Sequence, residues 1–242
     1  MQIQIHGKAV RVSGSHQELA IDSRQFRDWV ANLDPRFIVR SIEFQSVDFA
    51  NHGVKHQIKF IKFMAEVVDV KGKPFSGIVF MRGGSVAILV ILECEGVEYT
   101  ILTLQPRFPS GYFAFPEIPA GTMEDGDDFV GGATRELEEE TGIKIKRTDL
   151  VDITSLIYGN KFRGVFPTIG GSDEFLRIFA LKISVSHEYI QNLQGKCTGL
   201  VAENEQITLK VIPLEDLPLE TPDAKALSAL MLYKTAKKFG KI

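Results

Sequence analysis

The sequence predicts an α/β or α+β protein, with strands and helices at defined points and a β-rich segment ahead of them. Three observations carry this reading. Residues 86–92, Val-Ala-Ile-Leu-Val-Ile-Leu, form an apolar run of strand length with both faces apolar, which suits a central strand. Residues 128–141 read as a helix with clustered glutamates, and Gly142 stands where a C′ glycine would end it. Pro222-Asp223 opens a last amphipathic stretch that runs to about residue 239.

Taken in order, Ile3, Ile5, Val10 and Val12 alternate with polar residues, which reads as a hairpin or two short strands turning near Gly7. Asp22-Ser23 offers an N-cap to a helix carrying Phe26, Trp29, Val30 and Leu33 on one face, with Pro35 just past its end. Strands follow at about 38–48 and 56–70, the second mixing Ile58, Phe60, Phe63 and Val67 with lysines as a half-exposed strand does. Lys71-Gly72-Lys73-Pro74 turns the chain. These first residues look too few to bury a core alone, which points to packing on the rest of the chain or on a second subunit. The expected division is 1–74 and 75–242. Beyond it, 77–81, 86–93 and 99–104 read as strands, with Gly96 turning between the last two. Residues 108–115, rich in Phe, Tyr, Pro and Gly, read as a loop. After the acidic helix come a strand near 150–157, a loop at 158–174, a strong strand at 175–185 and an irregular stretch at 186–205. A strand at 206–212 and a short turn at 214–217 precede the last helix, whose expected buried side is Leu227, Leu230, Met231 and Tyr233.

The chain has 242 residues, 44% of them hydrophobic, and a net charge of −3. That length suits one large or two small globular units. Near-neutral charge argues against a nucleic-acid partner. No run of about 18 apolar residues exists, so no membrane span is expected. Residues 1–7 lack the pattern of a secretory signal or transit peptide, so a cytoplasmic location is expected. Cys94 and Cys197 are too few for a disulfide framework and read as reduced thiols. The five histidines show no ligand spacing, which argues against zinc.

The chemistry concentrates in residues 121–143. On a helix, Glu136 and Glu140 stand one turn apart with Glu139 beside them. Like charges so placed destabilise a bare helix by about 0.2–0.5 kcal/mol per pair, so an offsetting partner is implied. Hard divalent cations seek clustered carboxylate oxygens, and Mg²⁺ at such a site serves phosphate chemistry. Gly121, Arg135, Glu136, Leu137, Glu139, Glu140, Gly142 and Ile143 together resemble the signature of the Nudix hydrolases, with Asp127 standing where that signature has its first Glu. The likeness extends outside this box. Arg82-Gly83-Gly84-Ser85, Gln105-Pro106-Arg107, Glu117-Ile118-Pro119-Ala120 and Gly170-Gly171-Ser172-Asp173-Glu174 look like the ADP-ribose and ADP-sugar diphosphatase branch. Similarity to plant-type ADP-sugar diphosphatases runs over nearly the whole chain. Thr168-Ile169 precede the paired glycines where the branch commonly has Ser-Pro.

The resemblance implies an α/β/α sandwich with a mixed sheet over roughly residues 75–242, the box forming loop–helix–loop. It also implies a homodimer, since relatives exchange their N-terminal segments. The implied reaction is Mg²⁺-dependent hydrolysis of the pyrophosphate bond of a nucleotide sugar, with Mn²⁺ as a substitute cation. ADP-glucose or ADP-ribose is the favoured substrate, giving a nucleoside monophosphate and a sugar phosphate. Implied metal ligands are Glu136, Glu139, Glu140 and the backbone carbonyl of Ala120. Arg135 would pair with a box carboxylate and fix its rotamer. Glu174 matches the catalytic base of the branch, with neighbouring Asp173 as the alternative. Arg107 and Arg82 are candidates for phosphate or sugar contacts, because a guanidinium pairs bidentately with phosphate. Glu117 is a candidate for substrate contact or for support of the metal shell. Tyr112, Phe113, Phe162 and Phe166 offer faces for adenine. A UDP-sugar diphosphatase is the alternative enzyme. A Nudix-fold binding module is the alternative of another class, although such modules usually lose box carboxylates that this chain keeps.

Overall fold

A computed structural model describes every residue except 51–56, 124, 125, 127 and 201–205. Asp127, the position that departs from the box signature, lies outside the described residues. Two compact units form: Met1–Gly84 with Thr168–Glu174, and Ser85–Pro167 with Phe175–Ile242.

In the first unit, β1 (Gln2–Ile5) and β2 (Lys8–Gly14) make a hairpin whose turn holds His6 and Gly7 at positive φ. A short α1 (Gln17–Asp22) leads to α2 (Arg24–Asn32), capped by Ser23, whose hydroxyl accepts from Phe26 N–H at 3.2 Å. Strand β2 pairs in parallel with β3 (Ile38–Ala50), and β3 pairs antiparallel with β4 (Gln57–Val68). Both β5 (Pro74–Phe75) and β6 (Ile78–Met81) pair with β4. Phe26, Phe44 and Phe63 meet at centroid distances of 5.4–6.2 Å, and Ile42, Ile61 and Met81 are buried in the same core. This corrects the expectation that the segment is too small to bury a core. Two long paired strands alternate apolar side chains onto one sheet face, and the helices cover it. Residues Thr168–Glu174 join this unit through a parallel bridge between Phe80 and Ser172 and a 2.9 Å bond from Phe80 N–H to Gly171 O.

The second unit is built on β7 (Gly84–Cys94), which forms a tight hairpin with β8 (Val97–Arg107). The turn residues Glu95 and Gly96 both have positive φ. Strand β9 (Tyr112–Glu117) pairs with β8, and β10 (Ala120–Thr122) with β7. Then follow α3 (Phe129–Thr141), β11 (Leu150–Asp152), α4 (Ile153–Tyr158), β12 (Phe175–Ser184), α5 (His187–Leu193), β13 (Cys197–Thr198), β14 (Ile207–Pro213), α6 (Leu217–Glu220) and α7 (Ala224–Lys238). The sheet runs β11-β12-β7-β8-β14-β13. Ala87, Leu89 and Ile91 face a core shared with Ile153 of α4, Leu217 of α6 and Ala229 of α7. Val86, Ile88 and Val90 face a second core shared with Leu137 of α3 and Leu193 of α5. Period-two alternation of an all-apolar strand thus feeds two helical layers, giving the α/β/α sandwich.

Four local expectations are corrected. Residues 112–117 are a strand, because their aromatic side chains suit a pleated surface and β8 offers a paired edge. The strand at 150 stops at Asp152, whose carboxylate accepts from Ser155 N–H at 2.8 Å and starts α4. Within 186–205, Ser186 likewise caps α5 by accepting from Tyr189 N–H. On α7 the buried side is Ala226, Ala229, Leu230, Leu232, Tyr233 and Ala236, whereas Leu227 and Met231 are exposed. Three alanines on the buried side bring this helix close to the sheet, and Leu230, Leu232 and Tyr233 fill the space beside them.

Candidate active site

The site in the second unit begins at α3. Asp128 accepts from Gly131 N–H at 2.8 Å to start the helix, and Gly142, at φ +74°, donates to Glu138 O at 2.8 Å to close it. Pairing of β10 with β7 holds Ala120 and Gly121 against the helix. The Glu140 carboxylate is buried there and accepts from Ala120 N–H (3.1 Å) and from Gln105 Nε2 (3.0 Å). Gly121 is a close-approach glycine. A Cβ at that position would lie 1.9–2.2 Å from the Glu136 carboxyl atoms.

Burial pushes the Glu140 carboxyl up to about 8; the Gln105 amide pulls against this, and the nearby Glu136 charge adds to it. Arg135 Nη1 spans the other two glutamates, 3.0 Å from Glu136 and 2.9 Å from Glu139. Arg135 and Glu139 also line a groove of about 560 Å³, with Thr134, Glu138 and Arg147.

Among the described residues, no three acidic, histidine or cysteine side chains converge on one ion as they stand. The donor chemistry still fits a hard divalent cation. Two glutamates face each other's charge, one of them is buried without a cationic hydrogen-bond partner, and the backbone of Ala120 lies at that carboxylate.

A second polar cluster adjoins the first along β8. Arg107 follows Gln105 after a register shift in the pairing with β9. Its Nε donates to Oε1 of buried Glu117, and Lys225 Nζ donates to Oε2. Asp223 caps α7 and also accepts from Lys225 Nζ at 3.0 Å. Burial alone would raise the Glu117 carboxyl, but the Lys225 charge and the Arg107 bond and charge outweigh it, so it sits below its usual range. Lys225 is absent from the sequence-based site. It lies 108 residues from Glu117 and two after a helix cap, where a lysine reads as solvated charge.

Arg82, Asp173 and Glu174 belong to the first unit, and the aromatic candidates to the second. Glu174 is largely buried and pairs with Arg82 Nη1 at 3.1 Å. The Arg82 guanidinium stands 5.5 Å from the Phe60 ring centroid. Asp173 accepts from the backbone N–H groups of Arg82 (2.8 Å) and Gly83 (3.2 Å). The two adjacent acids are therefore distinct: Asp173 holds backbone, and Glu174 holds a guanidinium. Of the aromatic candidates, Phe166 stands 6.3 Å from Phe175 with Arg163 beside it, and Phe162 meets Tyr158 edge-on. Phe113 is 85% exposed, and Tyr112 packs on Phe115.

Residues 81–231 match the NUDIX domain family. The chain is 40% identical over 239 residues to Nudix hydrolase 14, chloroplastic, of Arabidopsis thaliana, a match covering 95% of this chain and 76% of that protein. It is 31% identical over 137 residues to a Nudix hydrolase of Schizosaccharomyces pombe, covering 56% of this chain and 61% of that one. Among solved structures, an ADP compounds hydrolase aligns with 85% of this chain and 99% of its own, at 17% identity and a TM-score of 0.49. The chain belongs to the Nudix family. It is accordingly a Nudix hydrolase, of a family that acts on nucleotide diphosphate compounds and generally uses divalent cations such as Mg²⁺. No helix among the described residues is long and apolar enough to cross a membrane.

Proposed function

We propose that the protein hydrolyses the pyrophosphate bond of a nucleotide sugar, ADP-glucose or ADP-ribose being favoured, to a nucleoside monophosphate and a sugar phosphate. The observation that supports this most is the pairing, in one unit, of the buried Glu140 at Ala120-Gly121 with an Arg107 fork close enough for its charge to act on that carboxyl. A bound divalent cation would neutralise pyrophosphate charge and acidify a water. Glu136, Glu139, Glu140 and the Ala120 carbonyl would hold it, and Arg135 keeps Glu136 and Glu139 in place. Arg107 receives a phosphate oxygen. Glu174 takes the proton of the attacking water, and Arg82 holds the Glu174 side chain in one rotamer.

The test is a panel of ADP-glucose, ADP-ribose and UDP-glucose with Mg²⁺ or Mn²⁺, with products identified chromatographically. Release of AMP and the sugar phosphate is the expected result. Turnover of none removes the substrate class, and a preference for UDP-glucose moves the assignment to a UDP-sugar diphosphatase. The same reading includes a homodimer, which a monomeric mass by light scattering would remove. It also includes a cytoplasmic location, which recovery of the protein only in plastids, as the Arabidopsis relative's name would suggest, would overturn.

A further inference from the structure

We propose that Lys225, at the start of α7, is a positioning residue of this site. It occupies one oxygen of Glu117, so that Glu117 grips Arg107 by Nε alone and leaves both Nη groups for an anionic group of the substrate. The inference rests on the proposed function and deepens it by naming how the phosphate fork is held.

A guanidinium meeting a carboxylate commonly uses two parallel N–H···O bonds. Here the second carboxylate oxygen is taken by Lys225 Nζ, and Arg107 donates through Nε only. Its Nη groups have no partner among the described residues, and the side chain is 40% exposed. Lys225 is itself fixed. Asp223 accepts from its backbone N–H at 3.1 Å and from its Nζ at 3.0 Å, so the first turn of α7 aims the ammonium. The lysine side chain is only 19% exposed and the Glu117 side chain 7%. With Asp223 also on Lys225 Nζ, two cations and two carboxylates balance in charge, so what the fork offers is a pair of Nη donors without a partner among the described residues. A substrate phosphate accepts from them, on the side of the unit where Arg107 acts on Glu140.

The experiment is steady-state kinetics on whichever of ADP-glucose, ADP-ribose and UDP-glucose is turned over fastest, using Lys225→Met, Lys225→Arg, Arg107→Ala and the double variant. Lys225→Met should raise KM about tenfold, as expected for a lost charge-assisted contact, with kcat near the wild-type value. Lys225→Arg should restore most of the loss. In the Arg107→Ala background, Lys225→Met should raise KM no further. An unchanged KM in Lys225→Met overturns the inference, as does the same KM factor in both backgrounds, which marks a role in the fold alone. If Lys225→Met does not fold, Lys225→Gln carries the same comparison. Wild-type protein that turns over none of the three overturns the proposed function and this inference with it. Wild-type turnover with a silent Lys225→Met overturns this inference only.

Discussion

Glu117 and Glu140 lie in the same unit and are almost equally buried, at 5% and 4% exposure, yet they end in opposite charge states. Glu117 carries Arg107 on one oxygen and Lys225 on the other, and its carboxyl falls below the usual range. At Glu140 burial is the largest influence; a backbone N–H, an amide and the unbonded charge of Arg107 oppose it, a neighbouring glutamate adds to it, and the carboxyl rises to about 8. For two carboxyls so little exposed, the bonded cations at Glu117 and their absence at Glu140 set the difference in state. Glu117 is completed by cations from its own chain. Glu140 has no cation hydrogen-bonded to it among the described residues, which leaves it open to the divalent cation proposed for this site.

The largest expected effect is at Glu140. Glu140→Gln keeps the shape and an acceptor for Ala120 N–H but removes the charge, so kcat should fall by several orders of magnitude while the metal-free protein melts no lower than wild type. A mild loss of rate would erase the contrast by showing that the charge at 140 is not used. The same change at 117 should do the reverse. Glu117→Gln leaves two cations facing a neutral amide, and breaking such a buried pair costs about 3 kcal/mol, readable as a lower urea midpoint. Unchanged stability there would mean that Arg107 and Lys225 find solvent as readily as they find Glu117.

The smallest effect is in the pH dependence, and it has opposite signs at the two residues. Folded Glu140 keeps its proton to about 8, against an ordinary 4.5, so its stabilisation is full below 4.5 and lost as pH rises towards 8. Metal-free protein should lose melting temperature across that window, and Mg²⁺ should recover it by displacing the proton. Folded Glu117 is depressed, so its stabilisation is present above the ordinary 4.5 and lost as pH falls below it. Melting curves in EDTA that stay flat between about pH 5 and pH 8 would contradict the state assigned to Glu140.

What was legible in the sequence was whatever depends on near neighbours. The α3 glutamates, the Ser23 cap, the turn at Gly96 and the two-faced β7 each follow from residues within a few positions of one another. Helix α5 was harder, since seven residues bury only Leu193 and the pattern has no repeat to show. On α7 the sequence yields Leu230 and Tyr233 of the buried face but not its alanines, because close packing on the sheet selects small side chains that carry little apolar signal, while Leu227 and Met231 stay outside. Lys225 could not be found at all. Its partner Glu117 is 108 residues away, and nothing local sets this lysine apart from any other near a helix start. Asp173 and Glu174 are neighbours in the chain and were interchangeable there. Only the positions of the Arg82 amide and guanidinium separate them.

The membership of Thr168–Glu174 in the first unit bears on how the protein is made. During synthesis from the N-terminus, residues 1–84 emerge early, but the bridge from Phe80 to Ser172 waits until more than half the second unit has been translated. The first unit is thus finished late, by a short detour of a chain otherwise committed to the second. A gene cut at residue 84 would yield an N-terminal piece lacking Asp173, and with it the carboxylate that holds the backbone of Arg82 and Gly83. Transplanting the first unit alone into another protein would require carrying that seven-residue passage along.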